Sequence, residues 1–257
     1  MTARAGARCA LAAAWLALAA APVPGRAGPP YFTDDPEPVE LRHWEIYLAT
    51  QWSRDRDGGL SGTAPHVEVN YGALPEVQLH VVAPLALARP ASGPTAWGLG
   101  DLELGAKVRF LEESPVRPQI GVFPLVELPT GDADRGLGAG EVQAFLPLWI
   151  QKRFGPWTTY GGGGWWLNPG AGNRNYVALG WLLQREVAPG VTPGVEVFHT
   201  AARTVGGTSE TRVAAGLVLD LSEVHHLLVS AGRTFGGGDA LQAYLAWQLT
   251  LGPRDRE

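Results

Sequence analysis

The chain has 257 residues, with 20 Lys+Arg against 25 Asp+Glu and a formal net charge of −5. That acidic balance argues against nucleic-acid binding. Thirty-four Gly and 21 Pro disfavour long helices, and the single cysteine excludes a disulfide framework.

Arg4 and Arg8 precede an Ala-rich apolar run over 9–21, and no acid occurs before Asp34. A basic start, a short apolar core and small residues at its exit predict a secretory signal over 1–27, cleaved after Ala21 or Ala27. The run is too short to span a bilayer. Cys9 falls inside the signal, and Arg8 directly before it is unlike a lipoprotein-processing site. Loss of Arg4, Arg8 and Arg26 leaves 17 basic against 25 acidic residues, a net charge of −8.

Residues 28–42 are Pro-rich and acidic and predict an irregular periplasmic segment, with an Asx turn at Thr33-Asp34-Asp35-Pro36 favoured over a cation site. A strand follows over 43–54, where Trp44, Ile46, Leu48, Thr50 and Trp52 share a face. Trp44 and Trp52 stand about 26 Å apart along an extended strand. With a tilt of about 40°, that spacing suits an apolar band with aromatic rims. A second strand sets Val67, Val69 and Tyr71 against His66, Glu68 and Asn70, and a third sets Val77, Leu79 and Val81 against Glu76, Gln78 and His80.

Residues 98–131 carry the clearest pattern. Leu102, Leu104, Ala106, Val108 and Phe110 alternate with Asp101, Glu103, Lys107 and Arg109. The chain then turns at Ser114-Pro115 and returns as Ile120, Val122, Pro124, Val126 and Leu128 opposite Gln119 and Glu127. A period of two means successive side chains point to opposite sides of a strand. Similar units follow at 141–151, at 157–167 (with glycines at 161–164), and at 175–185, 192–200, 212–220, 226–235 and 241–251. The domain reading is therefore a signal over 1–27, an irregular segment over 28–42, a barrel over 43–251 and a polar tail over 252–257.

About twelve strands result, with longer connections (55–62, 86–97, 130–140, 168–174, 202–210, 236–239) on one side. The expected fold is all-β, an antiparallel up-and-down transmembrane β-barrel with both termini periplasmic. Eight strands already give an interior that side chains fill, so twelve around an apolar lumen would leave a void. The apolar face is therefore expected to meet lipid and the charged face the lumen. The expected lumen set is Glu45, His66, Glu68, Glu76, His80, Asp101, Glu103, Lys107, Arg109, Glu127, Glu141, Glu196, Arg212 and Asp220. These groups either pair across strands in a filled barrel or line a wet path.

No catalytic set, metal site or cofactor site is read from the residues. The glycine clusters lack G-x-G-x-x-G spacing, His225-His226 reads as a solvated turn, and Asp55 and Asp57 have no histidine placed near them.

Three blocks, TDDPEPVELRHWEIYLATQ (33–51), GLGDLELGAKVRFL (98–111) and VELPTGD (126–132), resemble the "MetA-pathway of phenol degradation" group of Gram-negative outer-membrane proteins. The resemblance implies an outer-membrane barrel acting as a transporter, linked to the breakdown of aromatic compounds, and it carries over no site residue. The expected function is a channel for small solutes, aromatic or apolar compounds among them. The alternatives are a filled structural or surface-interaction barrel and an outer-membrane hydrolase. The expected partners are outer-membrane lipid, the outer-membrane assembly machinery and a small solute.

Overall fold

The computed structural model describes residues 30–237 and 240–253. The expected signal over 1–27 and residues 254–257 of the tail lie outside the described residues.

Alternation resolves into twelve strands: β1 (Trp44–Arg54), β2 (Leu60–Leu74), β3 (Val77–Arg89), β4 (Ala96–Leu99 and Leu102–Leu111), β5 (Gln119–Val122 and Leu125–Leu128), β6 (Gln143–Phe154), β7 (Trp157–Leu167), β8 (Tyr176–Arg185), β9 (Val191–Thr200), β10 (Glu210–Asp220), β11 (His225–Phe235) and β12 (Leu241–Leu251). The breaks in β4 and β5 have local causes. Pro124 has no N–H to give the ladder, and the Gly100 N–H leaves the regular pattern to reach the Pro84 carbonyl at 2.9 Å. Among the described residues the helical element is one 3-10 turn, Ala133–Arg135.

Each strand pairs antiparallel with its sequence neighbours, and β1 pairs with β12 from Trp44 opposite Leu251 to Arg54 opposite Leu241. The barrel is closed. The shortest connections, 75–76 and 155–156, lie at the end that holds the start of β1 and the finish of β12, here called the near end. The longest, 129–142, lies at the far end.

The two faces differ as the alternation requires. Leu48 is 60% exposed, Phe110 59% and Trp181 55%, all on the outer face, whereas the inward Tyr47, Lys107 and Leu182 of the same strands are buried. The glycine run in β7 is explained by close approach. A Cβ on Gly162 would run into the Leu148 carbonyl, and one on Gly161 would meet the Trp181 ring. Larger side chains there would push β6 and β8 away from the ladder.

Candidate functional site

The lumen is not empty. Residues 30–41 run inside it without regular structure, held by walls whose inward side chains the strand pattern had already selected. Tyr31, Thr33, Asp35 and Pro36 of this segment are buried. Three anchors fix it.

The first is on β9 and β10. Glu196 and Arg212, 1% and 4% exposed, form a buried ion pair. The other oxygen of Glu196 accepts the Thr33 N–H at 2.6 Å. The Arg212 guanidinium lies 4.3 Å from the centre of the Phe32 ring, which meets Phe198 edge-on at 5.6 Å. Glycines make room here. A Cβ on Gly216 would come within 2.7 Å of the Tyr31 hydroxyl, and Gly180 faces Thr33 in the same way. Ser230 on β11 donates to the Pro30 carbonyl at 2.6 Å.

The second anchor is Lys107 on β4, whose ammonium lies 2.8 Å from Asp34 and 3.6 Å from Asp35. Asp35 also accepts the Glu37 N–H at 2.6 Å. This i, i+2 bond is an Asx turn, the local structure favoured from the sequence.

The third anchor is Glu37. Its carboxylate pairs with Arg153 and accepts from Gln119 at 3.2 Å and Gln151 at 3.1 Å. Arg109 stands 3.8 Å away, is paired with Glu76, and donates to Gln119 at 2.8 Å. The Val39 N–H reaches Gln78 at 2.9 Å.

Between this segment and the wall formed by β1–β5, β10 and β12 lies a cavity of about 200 Å³. Phe32, Tyr47, Phe123 and Tyr244 supply aromatic lining, and Glu45, His66, Glu68, His80, Glu103 and Lys107 supply polar lining. His80 joins several of these groups. One ring nitrogen is 2.6 Å from Asn70 and the other 2.8 Å from Glu103, while Asn70 donates to Glu68 at 2.8 Å.

The lumen set named from the sequence thus divides. Glu45, His66, Glu68, His80, Glu103, Lys107 and Arg212 border the cavity, and Arg109 with Glu76, and Glu196, hold the inner segment or its supports. Glu127 stands opposite Glu103 in register. Asp220 lies near the near end, 3.0 Å from His226. Asp101 sits in the break of β4 and accepts the Gly131 and Ala139 N–H groups at 2.9 and 2.6 Å, pinning the loop 129–142. Glu141 is exposed in that same loop, outside β6. Arg153 was absent from the sequence set, although it shares its carboxylate with Gln119 and Gln151. Among the described residues no group of three His, Cys, Asp or Glu is placed to hold a metal ion.

No family model and no curated protein matches the chain. Solved structures do. An outer-membrane channel from Pseudomonas putida F1 superposes with a TM-score of 0.64 at 14% identity, covering 88% of this chain and 100% of that one. The KdgM porin in complex with oligogalacturonate gives 0.58 at 9% identity, over 80% and 98%. The β-domain of the Bordetella autotransporter BrkA gives 0.52 at 12% identity, over 81% and 98%. At such identities the likeness is one of fold, that of outer-membrane barrels.

The buried Asp35 gives a pH-dependent test of the inner segment. Burial pushes its carboxyl up from 3.8 to about 7, with the Lys107 ammonium opposing. The folded value lies above the unfolded one, so ionised Asp35 costs stability that protonated Asp35 does not. Asp35→Asn removes the titration. In denaturant unfolding of the refolded protein, the stability of Asp35→Asn relative to wild type should rise as pH increases from about 4 to about 7. A difference that stays flat across that window contradicts a buried, desolvated Asp35.

Proposed function

We propose that the protein is an outer-membrane β-barrel channel for small solutes, whose lumen is narrowed by its own residues 30–41. The observation that carries this reading is the pairing of two opposite faces on one closed sheet. The outer face exposes Trp44, Leu48, Leu79, Phe110, Trp181, Leu245 and Trp247, while the inner face carries the ionised and amide groups described above. Closure satisfies every strand edge, as hydrocarbon surroundings demand. The fold shared with an outer-membrane channel and a porin supports the same reading. The predicted signal supports export, and the final strand, with Trp247, Leu249 and Leu251, is the segment offered to the assembly machinery.

For the solute, the three sequence blocks and the aromatic lining support single-ring aromatic compounds. A cavity of about 150 Å³ lined by apolar groups takes up benzene, so about 200 Å³ beside Phe123 and Tyr47 accommodates one ring. Polar lining by Glu103, His80 and Lys107 would suit a ring bearing a hydroxyl.

A second reading is a barrel that conducts nothing. Glu196, Leu182 and Tyr160 are all at most 1% exposed, and each meets the inner segment at Tyr31 or Thr33, so the lumen beside β7–β9 is packed against it. Conductance separates the two. Lys107→Glu with Arg109→Glu places new carboxylates against Asp34, Asp35, Glu37 and Glu76. Like charges in that space should displace residues 30–41, because uncompensated buried charge costs several kcal/mol. In planar bilayers the wild type is expected to show small or rare steps and the double variant larger, cation-selective ones. Two normally folded proteins with no steps sink the channel reading.

The lipid-facing assignment has its own test. Leu48→Arg lies midway along β1 on the outer face and touches no lumen group. In a bilayer it should cost about 2–4 kcal/mol of folding free energy. In a water-facing barrel the same exposed change would be nearly neutral, and a neutral result in lipid vesicles contradicts the assignment.

A further inference from the structure

The charged strand residues on the outer face have one sign. Every carboxylate within a strand, from Glu45 in β1 to Asp220 in β10, falls on the lumen face. The charged residues that alternate with the outward apolar side chains are all basic: Arg54, Arg89 and Arg233 at the far end, Lys152 and Arg185 at the near end. This holds among the described residues of a chain whose net charge is negative. Chance sorting of acids and bases would not empty one face of acids, whereas a surface that meets anionic headgroups requires it.

The far-end arginines are also neighbours. Arg89 stands opposite Leu60, Leu60 opposite Arg54, Arg54 opposite Leu241, and Leu241 opposite Arg233. Residues directly opposed across a ladder share a face, so the three arginines form one outward row across β3, β2, β1, β12 and β11. Successive members are two strands, or about 10 Å, apart. The strand tilt staggers them in depth, which long side chains take up by snorkelling. All three are exposed. Arg54 and Arg89 have no ion-pair partner among the described residues, and Arg233 lies over the Phe235 ring at 5.3 Å. The near-end bases are engaged with named groups. Lys152 is bound to Glu113 at 2.8 Å, and Arg185 lies over Trp157 at 5.1 Å.

We propose that Arg54, Arg89 and Arg233 form a binding site for the phosphates of a bisphosphorylated glycolipid in the outer leaflet. This rests on the reading of the protein as an outer-membrane barrel with its termini periplasmic, which places the far end at the cell surface. Guanidinium groups suit phosphate because their planar donors bind it in pairs. The half-buried Leu60 and the exposed Leu241 between the arginines would lie against the acyl chains below the phosphates.

The test uses the processed protein in detergent, with bisphosphoryl lipid A as probe, its dephosphorylated form as control and inorganic phosphate as competitor. Bound lipid is read by native mass spectrometry. The wild type should retain bisphosphoryl lipid A in preference to the dephosphorylated form, and inorganic phosphate should not displace it. Combined R54Q, R89Q and R233Q should weaken retention about 100-fold, given the contribution of each base near an anionic surface, while R185Q leaves it unchanged. Equal retention by wild type and triple variant, or equal retention of both lipid forms, overturns the proposal. Full displacement by inorganic phosphate overturns it in favour of a free-anion site. Heat-modifiable insertion into vesicles is followed in parallel. A wild type that does not insert defeats the membrane reading itself, whereas insertion of both proteins without phosphate preference defeats the lipid site alone.

Discussion

The ladder between β1 and β12 is the contact on which the rest depends. It turns a twelve-stranded sheet with two edges into one with none, so no row of backbone N–H and C=O groups is left to find partners. Closure also separates inside from outside. Once the sheet is a cylinder, a period of two in the sequence becomes a difference between two media, and a one-residue slip would bring Glu196 and Lys107 outside and Leu48 and Trp181 inside. The register is therefore over-determined, strand by strand.

Closure creates a second problem that residues 30–41 solve. Lys107, Arg109, Arg153 and Arg212 all point inward, and an unpaired charge in a confined lumen is costly. The segment brings Asp34, Asp35 and Glu37 to three of them, while Glu196 serves the fourth and takes a backbone N–H from the segment as well. Wall and segment are thus complementary in charge and in shape, since Gly180, Gly194 and Gly216 leave the hollow that Tyr31 and Thr33 occupy. Beside the segment lies a cavity bounded by aromatic rings and hydrogen-bonded carboxylates.

Much of the barrel was legible because alternation reports the face of a residue directly. Leu104 and Phe110 stand exposed and Lys107 buried, as their alternation along β4 requires. The strand lengths were less legible. β2 begins at Leu60 and β3 runs to Arg89, whereas 55–62 and 86–97 read as loops. The register of β2 against β3 shifts between Thr63 and His66, which breaks the period just where the strand continues. Partners were not legible at all. Glu37 meets Arg153 across 116 residues of sequence, and periodicity carries no term for that. Nor does a Pro-rich segment without any period announce that it sits inside a cylinder. Its clue was chemical: four acids in a short irregular stretch, of which Asp34, Asp35 and Glu37 meet inward bases.

The position of the inner segment can be measured most directly by a disulfide. The sequence holds a single cysteine, Cys9, so in a chain starting after residue 27 a Thr33→Cys, Gly180→Cys pair would supply the only thiols. A Cβ on Gly180 would lie 3.0 Å from that of Thr33, about half an ångström inside the range a disulfide spans, so a small outward shift of the segment brings the two sulfurs into bonding distance. Mild oxidation of the folded barrel should close the bond nearly quantitatively. A control pairing Thr33→Cys with Leu179→Cys, which points outward, should stay reduced. If the Gly180 pair also stays reduced in a barrel that still shows heat-modifiable migration, residues 30–41 do not occupy the lumen, and the account of how this barrel is filled is wrong.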